Sequence, residues 1–327
     1  MSKWDKEYIK LCKKILKDGI EVENRTGINT IKIPAYHFEL NVGKEFPILT
    51  SKQLFIRQAI LEMMWIYQVQ SNDVNWLQER NVHIWDEWKI DNDGIYRIYE
   101  PTGEYKDIEL PVKDLDGNDM LDKDGNIMMA KSLIEGKTLR GAKYFGEDKK
   151  GTIGTAYGYI VNKFNAIDKL IDTIKNNPTD RRMLISLWQD DYIKSAVLPS
   201  CVWSSEWDVT NNKLNLWVHQ RSCDVPLGLP FNVTQYAALL KMIAQVTGLE
   251  AGTLNWSIKD AHIYVNQING INEQITRYEE LGDIKAPEVW INPEITDFYE
   301  FDNSKECKDI KVLNYKHHGK ISFPLAQ

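Results

Sequence analysis

Cys201, in the segment LPSCVW, lies where a nucleophile could be presented, between a proline-bearing turn and a strand-like stretch. A thiol attacks as its thiolate, so a catalytic role requires a cation close to it in space. Arg221 in HQRSCDVPLG is the candidate cation, because the two strand-like segments could pair as a hairpin. Taken alone, Cys201 more often represents a small buried apolar residue, and Arg221 would equally suit a surface ion pair.

Three further arginines stand at turns, where their side chains could bind an anion. Arg25 lies in NRTG, and the pair Arg181 and Arg182 follows NNPTD. A guanidinium group can form paired hydrogen bonds to a phosphate, and Ser222 could add another donor. The alternative for each arginine is an exposed side chain solvated at a loop tip. The three arginines indicate a phosphate site only in combination with other residues.

Four more polar residues have both a structural and a functional interpretation. Asn232 could cap a helix, or its amide could offer a donor and an acceptor to a pyrimidine edge. His262 and Tyr264 alternate on a strand-like stretch, so they face the same way and could contact a sugar hydroxyl or each stabilise the fold. Glu62 interrupts an apolar helix, where burial would raise its pKa. It is either paired structurally or poised as an acid or base.

The bulk composition restricts the class of protein. The chain has 327 residues, 43% of them apolar and 27% charged, with a net charge of −7. This acidic balance disfavours binding to a nucleic acid polymer, which requires surplus Lys and Arg. No signal-peptide core and no run of eighteen apolar residues is present, so we expect neither secretion nor membrane insertion. Four scattered cysteines predict reduced thiols and a cytoplasmic location.

The elements that would position these residues predict an α+β fold, because helices and strands are mixed without regular alternation. We expect one domain over residues 1–327, in which helices cover a large mixed β-sheet, with an insertion at about residues 89–150 that includes a hairpin within GNDMLDKDGNIMM. The acidic turns there lack the ligand order of a calcium loop, and no metal site is predicted. The predicted helices include 4–17, 56–69, 162–175 and 231–246, the last after a break at Gly228-Leu229-Pro230.

Several stretches together resemble a known family. They are RTG, FPILTSK, IWDEW, GTIGTAYG, PTDRR, LPSC, QRSCDVPLGLPFNV and DAHIYVNQ. In this order and at this spacing they resemble thymidylate synthase, from about Arg25 to the C-terminus apart from the insertion. The resemblance implies that Cys201 adds to C6 of dUMP, so that C5 can attack the methylene group of 5,10-methylenetetrahydrofolate. Deprotonation and loss of the folate then give an exocyclic methylene, which the same folate reduces by hydride transfer.

The resemblance also implies roles for the other candidates. Phosphate-binding positions are matched by Arg25, Arg181, Arg182, Arg221 and Ser222. In this family the pair Arg181 and Arg182 reaches the partner's site across a homodimer. Asn232 matches the residue that recognises uracil, and His262 and Tyr264 match ribose contacts. Glu62 and Tyr157 match proton-handling positions, while the folate side is matched by Lys52, Trp85, Trp88 and Asp224, of which Asp224 is also expected to assist catalysis.

Three departures from the family pattern bear on the outcome of the reaction. Val202 stands where many members have histidine, and Glu206 replaces a common glutamine near the site. The chain ends in Gln327, where the family usually has valine or isoleucine to cap the closed site and help hold the folate. A polar end would seal the site less well against water, and water in place of hydride would give a 5-hydroxymethyl product. Hydroxymethylation of dUMP, or less readily of dCMP, is therefore the alternative. A second alternative is an inactive protein that binds folate or nucleotide.

Overall fold

A computed structural model describes residues 2–100 and 105–326. Its α-helices are α1 Lys3–Asp18, α2 Ile56–Tyr67, α3 Val74–Glu79, α4 Gly158–Lys163, α5 Ala166–Asn176, α6 Asp190–Ile193, α7 Gly228–Val246 and α8 Ile268–Leu281. Its strands are β1 Ile20–Val22, β2 Thr30–Asn41, β3 Ile95–Tyr99, β4 Leu110–Lys113, β5 Met129–Ala130, β6 Leu139–Tyr144, β7 Leu184–Ser186, β8 Val202–Thr210, β9 Lys213–Gln220, β10 Cys223–Asp224, β11 Glu250–Tyr264, β12 Glu288–Ile291 and β13 Ile310–Leu313.

A seven-stranded mixed sheet organises the larger part of the fold. Its order is β1-β2-β11-β9-β8-β7, and the short β10 pairs with β11. The long strand β11 is antiparallel to β2 and parallel to β9, whereas β8 and β9 form an antiparallel hairpin. Asn211 and Asn212 turn this hairpin with positive φ angles of 51° and 59°, as a tight hairpin turn requires. The predicted α+β fold with a large mixed sheet is confirmed.

Two apolar helices, α2 and α7, pack against each other, and α7 lies on β11 and β9. Residues 59–67 of α2 are all buried, Glu62 among them. In α7 the buried residues surround most of the helix, which is expected for an element enclosed on nearly every side. Trp65 on α2 and Trp256 on β11 are fully buried. This packing brings the polar side chains of α2 and α7 into the interior together.

The starts and breaks of two helices differ from the prediction. Helix α7 begins at Gly228, three residues before the predicted start. Pro230 is compatible with the helix because it falls in the first turn, where the backbone N–H has no partner within the helix. Asn232 therefore lies inside the helix and is not its N-cap, a position that Leu227 holds. The helix predicted over residues 162–175 is divided into α4 and α5 at Asn165, whose φ of 49° is left-handed.

A smaller sheet lies within residues 95–144, in the order β3-β6-β4-β5. It has an apolar cluster of its own, formed by Ile95, Tyr99, Val112, Ala130, Leu139 and Ala142. A hairpin is present in GNDMLDKDGNIMM, where Leu121 pairs with Ile127. Two acidic turns, one before the hairpin and one at its tip, are closed by Asp114 and Asp122, which accept backbone N–H groups. Across the described part of the chain, α7 and the other helices are all too short or too polar to cross a membrane.

Candidate active site

One large cavity, with a volume of about 1010 Å³, lies beside α2, the start of α7 and the ends of β9 and β11. The predicted site residues that line it are Arg25, Lys52, Glu62, Trp85, Trp88, Tyr157, Cys201, Arg221, Ser222, Asp224, Asn232, His262 and Tyr264. These residues come from positions 25–264, so the fold gathers them from most of the chain. Arg181 and Arg182 do not line it, and Gln327 lies outside the described residues.

Cys201 and Arg221 are neighbours because they flank the β8–β9 hairpin. The backbone N–H of Arg221 donates to the carbonyl of Cys201 at 2.9 Å. The guanidinium group is held by two further carbonyls, with Nε 3.1 Å from Ser200 O and Nη2 2.5 Å from Pro199 O. Nη2 thereby lies 3.9 Å from Cys201 Sγ. The cation that the sequence suggested for this thiol is in place.

The electrostatic setting distinguishes Cys201 from the other cysteines. Burial raises the pKa of Cys201, and the nearby Arg221 and Arg25 cations act against that rise. Burial raises the pKa of Cys12 and Cys307 to about 12, and neither they nor Cys223 line the cavity. Since a thiolate is the nucleophilic form, the cationic lining makes Cys201 the candidate nucleophile among the four.

Tyr157 supports the backbone that presents the thiol. Its hydroxyl oxygen accepts the N–H of Cys201 at 3.0 Å. Tyr157 has φ 48° and ψ −108°, a strained conformation for a residue with a side chain. The next residue, Gly158, passes so close to the carbonyl of Ser71 that no Cβ would fit there. Strain of this kind persists where the surrounding structure fixes it, commonly at functional sites.

Glu62 is buried, and both of its carboxylate oxygens receive a hydrogen bond. Trp85 Nε1 donates to Oε1 at 2.8 Å, and Gln235 Nε2 donates to Oε2. Burial raises the pKa of Glu62 to about 7, and the two hydrogen bonds limit the rise. A carboxyl group with a pKa near neutrality can give up or accept a proton at physiological pH.

Three amides, of which those of Gln220 and Gln235 are buried, connect this carboxyl group to Trp256. The indole Nε1 of Trp256 donates to Gln220 Oε1 at 3.0 Å, and Gln220 Nε2 donates to Asn232 Oδ1 at 3.1 Å. Asn232 Nδ2 then donates to Gln235 Oε1 at 3.2 Å. Since an indole can only donate, the direction of every hydrogen bond in the chain is fixed. Asn232 keeps one N–H and one oxygen lone pair for a ligand.

Gln220 and Gln235 were missed at the sequence level. Gln220 immediately precedes Arg221, and Gln235 lies three residues after Asn232 on α7, on the same helix face. For Gln235 the available signal was a polar side chain in an otherwise apolar helix, the same signal that singled out Glu62.

Asp260 lines the cavity together with the two ribose-contact candidates, and it contacts one of them. His262 and Tyr264 face the same way near the end of β11, with ring centroids 5.2 Å apart and planes at 88°. His262 Nδ1 lies 3.2 Å from the carbonyl oxygen of Asp260 and 3.3 Å from its Oδ1. These contacts orient the imidazole and leave its other nitrogen for a hydroxyl or an anion.

The candidate folate-side residues form an aromatic and a charged part of the cavity. The Trp85 ring contacts those of Trp88 and Tyr157, at centroid distances of 5.4 and 5.2 Å. Lys52 Nζ donates to Pro226 O at 2.5 Å and lies 4.4 Å from the centroid of the Phe323 ring. Burial lowers the pKa of Lys52 to about 8.

Asp224 is tied to the C-terminal segment. Its Oδ2 accepts from Gln267 Nε2 at 3.0 Å, and the same amide nitrogen donates to Pro324 O at 3.1 Å. Its Oδ1 accepts from the N–H of Leu227 at 3.1 Å. Burial raises the pKa of Asp224. Residues 320–323, 325 and 326 line the cavity, so this segment forms part of its wall.

The remaining predicted residues lie on the surface or deeper in the wall. Arg181 and Arg182 are exposed on the turn before β7, where Arg182 forms two hydrogen bonds to Asp180, at 2.9 and 2.8 Å. Val202 is buried in the cavity wall. Glu206 was expected near the site, but it is exposed on β8 and contacts His219 Nε2 at 2.9 Å. A β-bulge between Val202 and Ser204 shifts the alternation of β8, so that Glu206 faces away from the cavity although Val202 lines it.

No cluster of three or more metal-ligating side chains is found in residues 2–100 and 105–326.

Comparison with known proteins extends over the whole chain. Residues 6–327 match the sequence profile described as thymidylate synthase. Thymidylate synthase from Clostridium beijerinckii is 40% identical over 326 residues, and thymidylate synthase 1 from Bacillus subtilis (strain 168) is 34% identical over 345 residues; each alignment covers 100% of both chains. Among solved structures, the thermostable thymidylate synthase A from Bacillus subtilis has a TM-score of 0.75 and 33% identity, with 99% of both chains covered.

A cavity built around a cysteine and its arginine, together with matches of this extent, defines an enzyme of the methyltransferase class. The chain belongs to the thymidylate synthase family. The resemblance carried by its motifs is thereby confirmed. Thymidylate synthesis is the function that the matches support, and they do not favour hydroxymethylation.

Proposed function

We propose that this protein catalyses the reductive methylation of dUMP to dTMP, with 5,10-methylenetetrahydrofolate as cosubstrate and dihydrofolate as coproduct. The observation that carries the proposal is the Cys201 thiol, 3.9 Å from the Arg221 guanidinium, in one cavity with the Asn232 amide and the Glu62 carboxyl group. A nucleophile, a cation, a base-reading amide and an acid are the groups that this reaction needs.

The cavity suits two ligands side by side. Its volume of about 1010 Å³ is at the upper end of the range for a single small-molecule site. Arg25, Arg221 and Ser222 supply donors for the phosphate of a nucleotide. The aromatic cluster of Trp85 and Trp88 provides flat apolar surface for a pterin ring.

Recognition of uracil follows from the fixed amide chain. The remaining N–H of Asn232 can donate to O4 of uracil, and its remaining lone pair can accept N3–H. Cytosine presents an amine at C4 and an unprotonated N3, so the same amide would meet a donor with a donor. We therefore propose dUMP, and not dCMP, as the substrate.

The steps assigned to the protein begin with the thiolate. Cys201 Sγ forms a bond to C6 of dUMP, and the electron pair of the C5–C6 double bond moves toward C5 and O4. We assign the protons at O4 and C5 to Glu62 and Tyr157, and we assign to Arg221 the stabilisation of the thiolate before attack and after its release. When bound, the folate would supply the one-carbon unit and the hydride, and Lys52, Trp85, Trp88 and Asp224 would hold it.

Exclusion of water determines the outcome of the reaction. The hydrogen bond from Gln267 to Pro324 and the contact between Lys52 and Phe323 hold the C-terminal segment over the cavity. A closed segment would favour hydride over water at the exocyclic carbon of the pyrimidine. Gln327 is proposed to complete this cover on the folate side.

A homodimer is also proposed, with Arg181 and Arg182 reaching the phosphate in the partner's site. The exposure of both side chains on one turn supports this, because in their own subunit they lie away from the cavity. We also propose a cytoplasmic location, because a thiolate nucleophile and three further unpaired thiols require a reducing compartment.

The test is to incubate the protein with 5,10-methylenetetrahydrofolate and either dUMP or dCMP. We expect dTMP by mass spectrometry, with an equal amount of dihydrofolate seen by absorbance. A hydroxymethyl product with tetrahydrofolate would support the hydroxymethylase alternative. C201A should abolish product formation, whereas the matched control C307A, which changes a cysteine outside the cavity, should not. Product formation by C201A would refute the covalent mechanism, and a wild-type protein that binds dUMP without turnover would indicate an inactive homologue.

A further inference from the structure

One face of the smaller sheet forms a wall of the active-site cavity. Strands β3 and β6 are antiparallel, with Tyr96 opposite Lys143 and Ile98 opposite Gly141. The side chains of Tyr96, Ile98, Lys143 and Phe145 line the cavity. The opposite face of the same strands packs into the sheet's own apolar cluster. The sheet is also linked to the aromatic segment of the site, because Lys137 Nζ lies 3.3 Å from the carboxylate of Glu87.

A β-bulge interrupts this pairing at Arg140. Ile98 is opposite Gly141, but the next residue, Tyr99, is opposite Leu139, so the register shifts by one residue at Arg140. A bulge changes the direction of the side chain it carries, and bulges are frequent next to active sites. Arg140 Nη1 donates to the carbonyl oxygen of Thr26 at 3.0 Å. The smaller sheet is thus connected to the loop that carries Arg25.

The loop around Arg25 is tightly closed, so that a contact to one residue positions its neighbours. Asn24 Oδ1 accepts from both the N–H and the hydroxyl of Thr26, at 2.9 and 2.7 Å. Asn24 Nδ2 donates to the carbonyl of Ile28 at 2.7 Å. Thr26 is only 3% exposed, and Gly27 takes a positive φ of 77°. Arg25 lies within this closed turn and lines the cavity.

The electrostatic surroundings of Tyr96 indicate that the guanidinium groups of Arg25 and Arg140 both lie near its side chain. Burial raises the pKa of Tyr96 to about 12, and both guanidinium groups oppose this rise. Arg140 itself does not line the cavity, and its Nη1 is engaged by Thr26. It is therefore placed to orient a phosphate-binding arginine without contacting the phosphate.

We propose that the smaller sheet is a positioning element of the substrate site, in which Arg140 holds the Thr26 carbonyl so that Arg25 faces the phosphate of the nucleotide. The inference rests on the proposed function, because the phosphate is that of dUMP. Arg140 is a positioning residue, and its effect passes through Arg25.

The experiment compares R140A and R140K with the wild-type protein and with K113A, an exposed control on the same sheet that pairs with Asp119. For R140A we expect the KM for dUMP and the inhibition constant of inorganic phosphate to rise together, by about five- to tenfold. kcat and the KM for the folate should stay within about twofold, as should every value for K113A. R140K, which keeps the charge and one donor group, should fall between wild type and R140A.

A double-variant cycle tests whether the effect passes through Arg25. R25A/R140A should bind dUMP no more weakly than R25A alone. If the losses of dUMP affinity caused by R25A and R140A add in the double variant, the proposal is overturned. It is also overturned if R140A lowers kcat and raises the KM for dUMP and for the folate to the same extent. Should R140A fail to fold, as judged by thermal unfolding, the same comparisons apply to R140K. If the wild-type protein does not convert dUMP, the proposed function fails. The affinity for inorganic phosphate then tests the role of Arg140 separately. Equal affinity for phosphate in wild type and R140A would overturn the role of Arg140.

Discussion

Asn232 Nδ2 donates to Gln235 Oε1 at 3.2 Å, and this single hydrogen bond joins the group that would read the base to the group that would move the proton. Gln235 passes the interaction on, because its own Nε2 donates to Glu62. On the other side, Gln220 and Trp256 fix the orientation of the Asn232 amide. Base recognition and proton transfer therefore share one hydrogen-bond chain, which makes Gln235 a sensitive position.

Replacing Gln235 by leucine should impair both functions. Q235L leaves the Asn232 N–H and one oxygen of Glu62 without their partners, at a cost of about 1–3 kcal/mol. We expect kcat/KM for dUMP to fall by about 10- to 100-fold, and the preference for dUMP over dCMP to narrow. Steady-state kinetics with both nucleotides measure this.

The matched control is Q245L on the same helix. Gln245 Nε2 donates to the carbonyls of Asn292 and Ile295, away from the cavity. Q245L should therefore leave unchanged both kcat/KM for dUMP and the preference for dUMP over dCMP. A Q235L protein with wild-type selectivity would show that the Asn232 orientation is fixed without Gln235.

Removal of the Glu62 charge should change the pH dependence of stability. Burial raises its pKa from 4.5 to about 7, so the folded protein favours the protonated form. Between pH 4.5 and pH 7 the unfolded chain ionises first, and the free energy of unfolding falls as pH rises. The free energy of unfolding of E62Q should therefore rise relative to that of wild type by about 3 kcal/mol from pH 4.5 to pH 7. Above about pH 7 the difference should not change further. Urea unfolding at a series of pH values measures the difference.

The same substitution has a kinetic consequence. If Glu62 handles a proton, E62Q should lower kcat by at least about 100-fold and remove the inflection near pH 7 from the pH profile. A profile that keeps this inflection would assign it to a different group.

Loss of Arg221 should make the Cys201 thiol less reactive. Arg221 and Arg25 oppose the rise in the pKa of Cys201 that burial causes, and Arg221 has the larger effect. For R221A we therefore expect a higher thiol pKa and about tenfold slower alkylation by iodoacetamide at neutral pH. The rate is followed at Cys201 by peptide mass spectrometry across a pH series. R57A serves as the control, because Arg57 donates to backbone carbonyls outside the cavity. An unchanged alkylation profile in R221A would mean that another group stabilises the thiolate.

A methyl group at Gly270 should displace the C-terminal segment. A Cβ at this position would lie 2.7 Å from Phe323 Cε1, so the ring, which packs on Lys52 Nζ, must shift. G270A should raise the KM for the folate several-fold with less effect on dUMP, and should increase the fraction of hydroxymethyl product by admitting water. Product ratios by mass spectrometry test this against N272A, an exposed change on the same helix. If G270A releases only dTMP at an unchanged folate KM, the segment does not seal the site.

The sequence alone determined the parts of the site that local patterns encode. Two alternating strands joined by a turn predict a hairpin that brings Arg221 near Cys201, whereas the exact pairing depends on a β-bulge between Val202 and Ser204. The apolar periodicity of α7 identified the helix that carries Asn232, although a proline in its first turn concealed where it begins. The family motifs then located residues that no periodicity distinguishes, such as Lys52 and Trp85.

Only the tertiary structure decided which buried polar groups became partners. Glu62 and Gln235 are 173 positions apart, and Arg140 and Thr26 are 114 apart. Each contact depends on how whole elements pack, since a buried donor or acceptor must bond to whatever group the packing brings within reach. The β-bulge between Val202 and Ser204, which is seen only in the paired strands, likewise turns Glu206 to the surface. Local sequence patterns thus encode which chemical groups the site contains, whereas long-range packing determines how those groups are oriented.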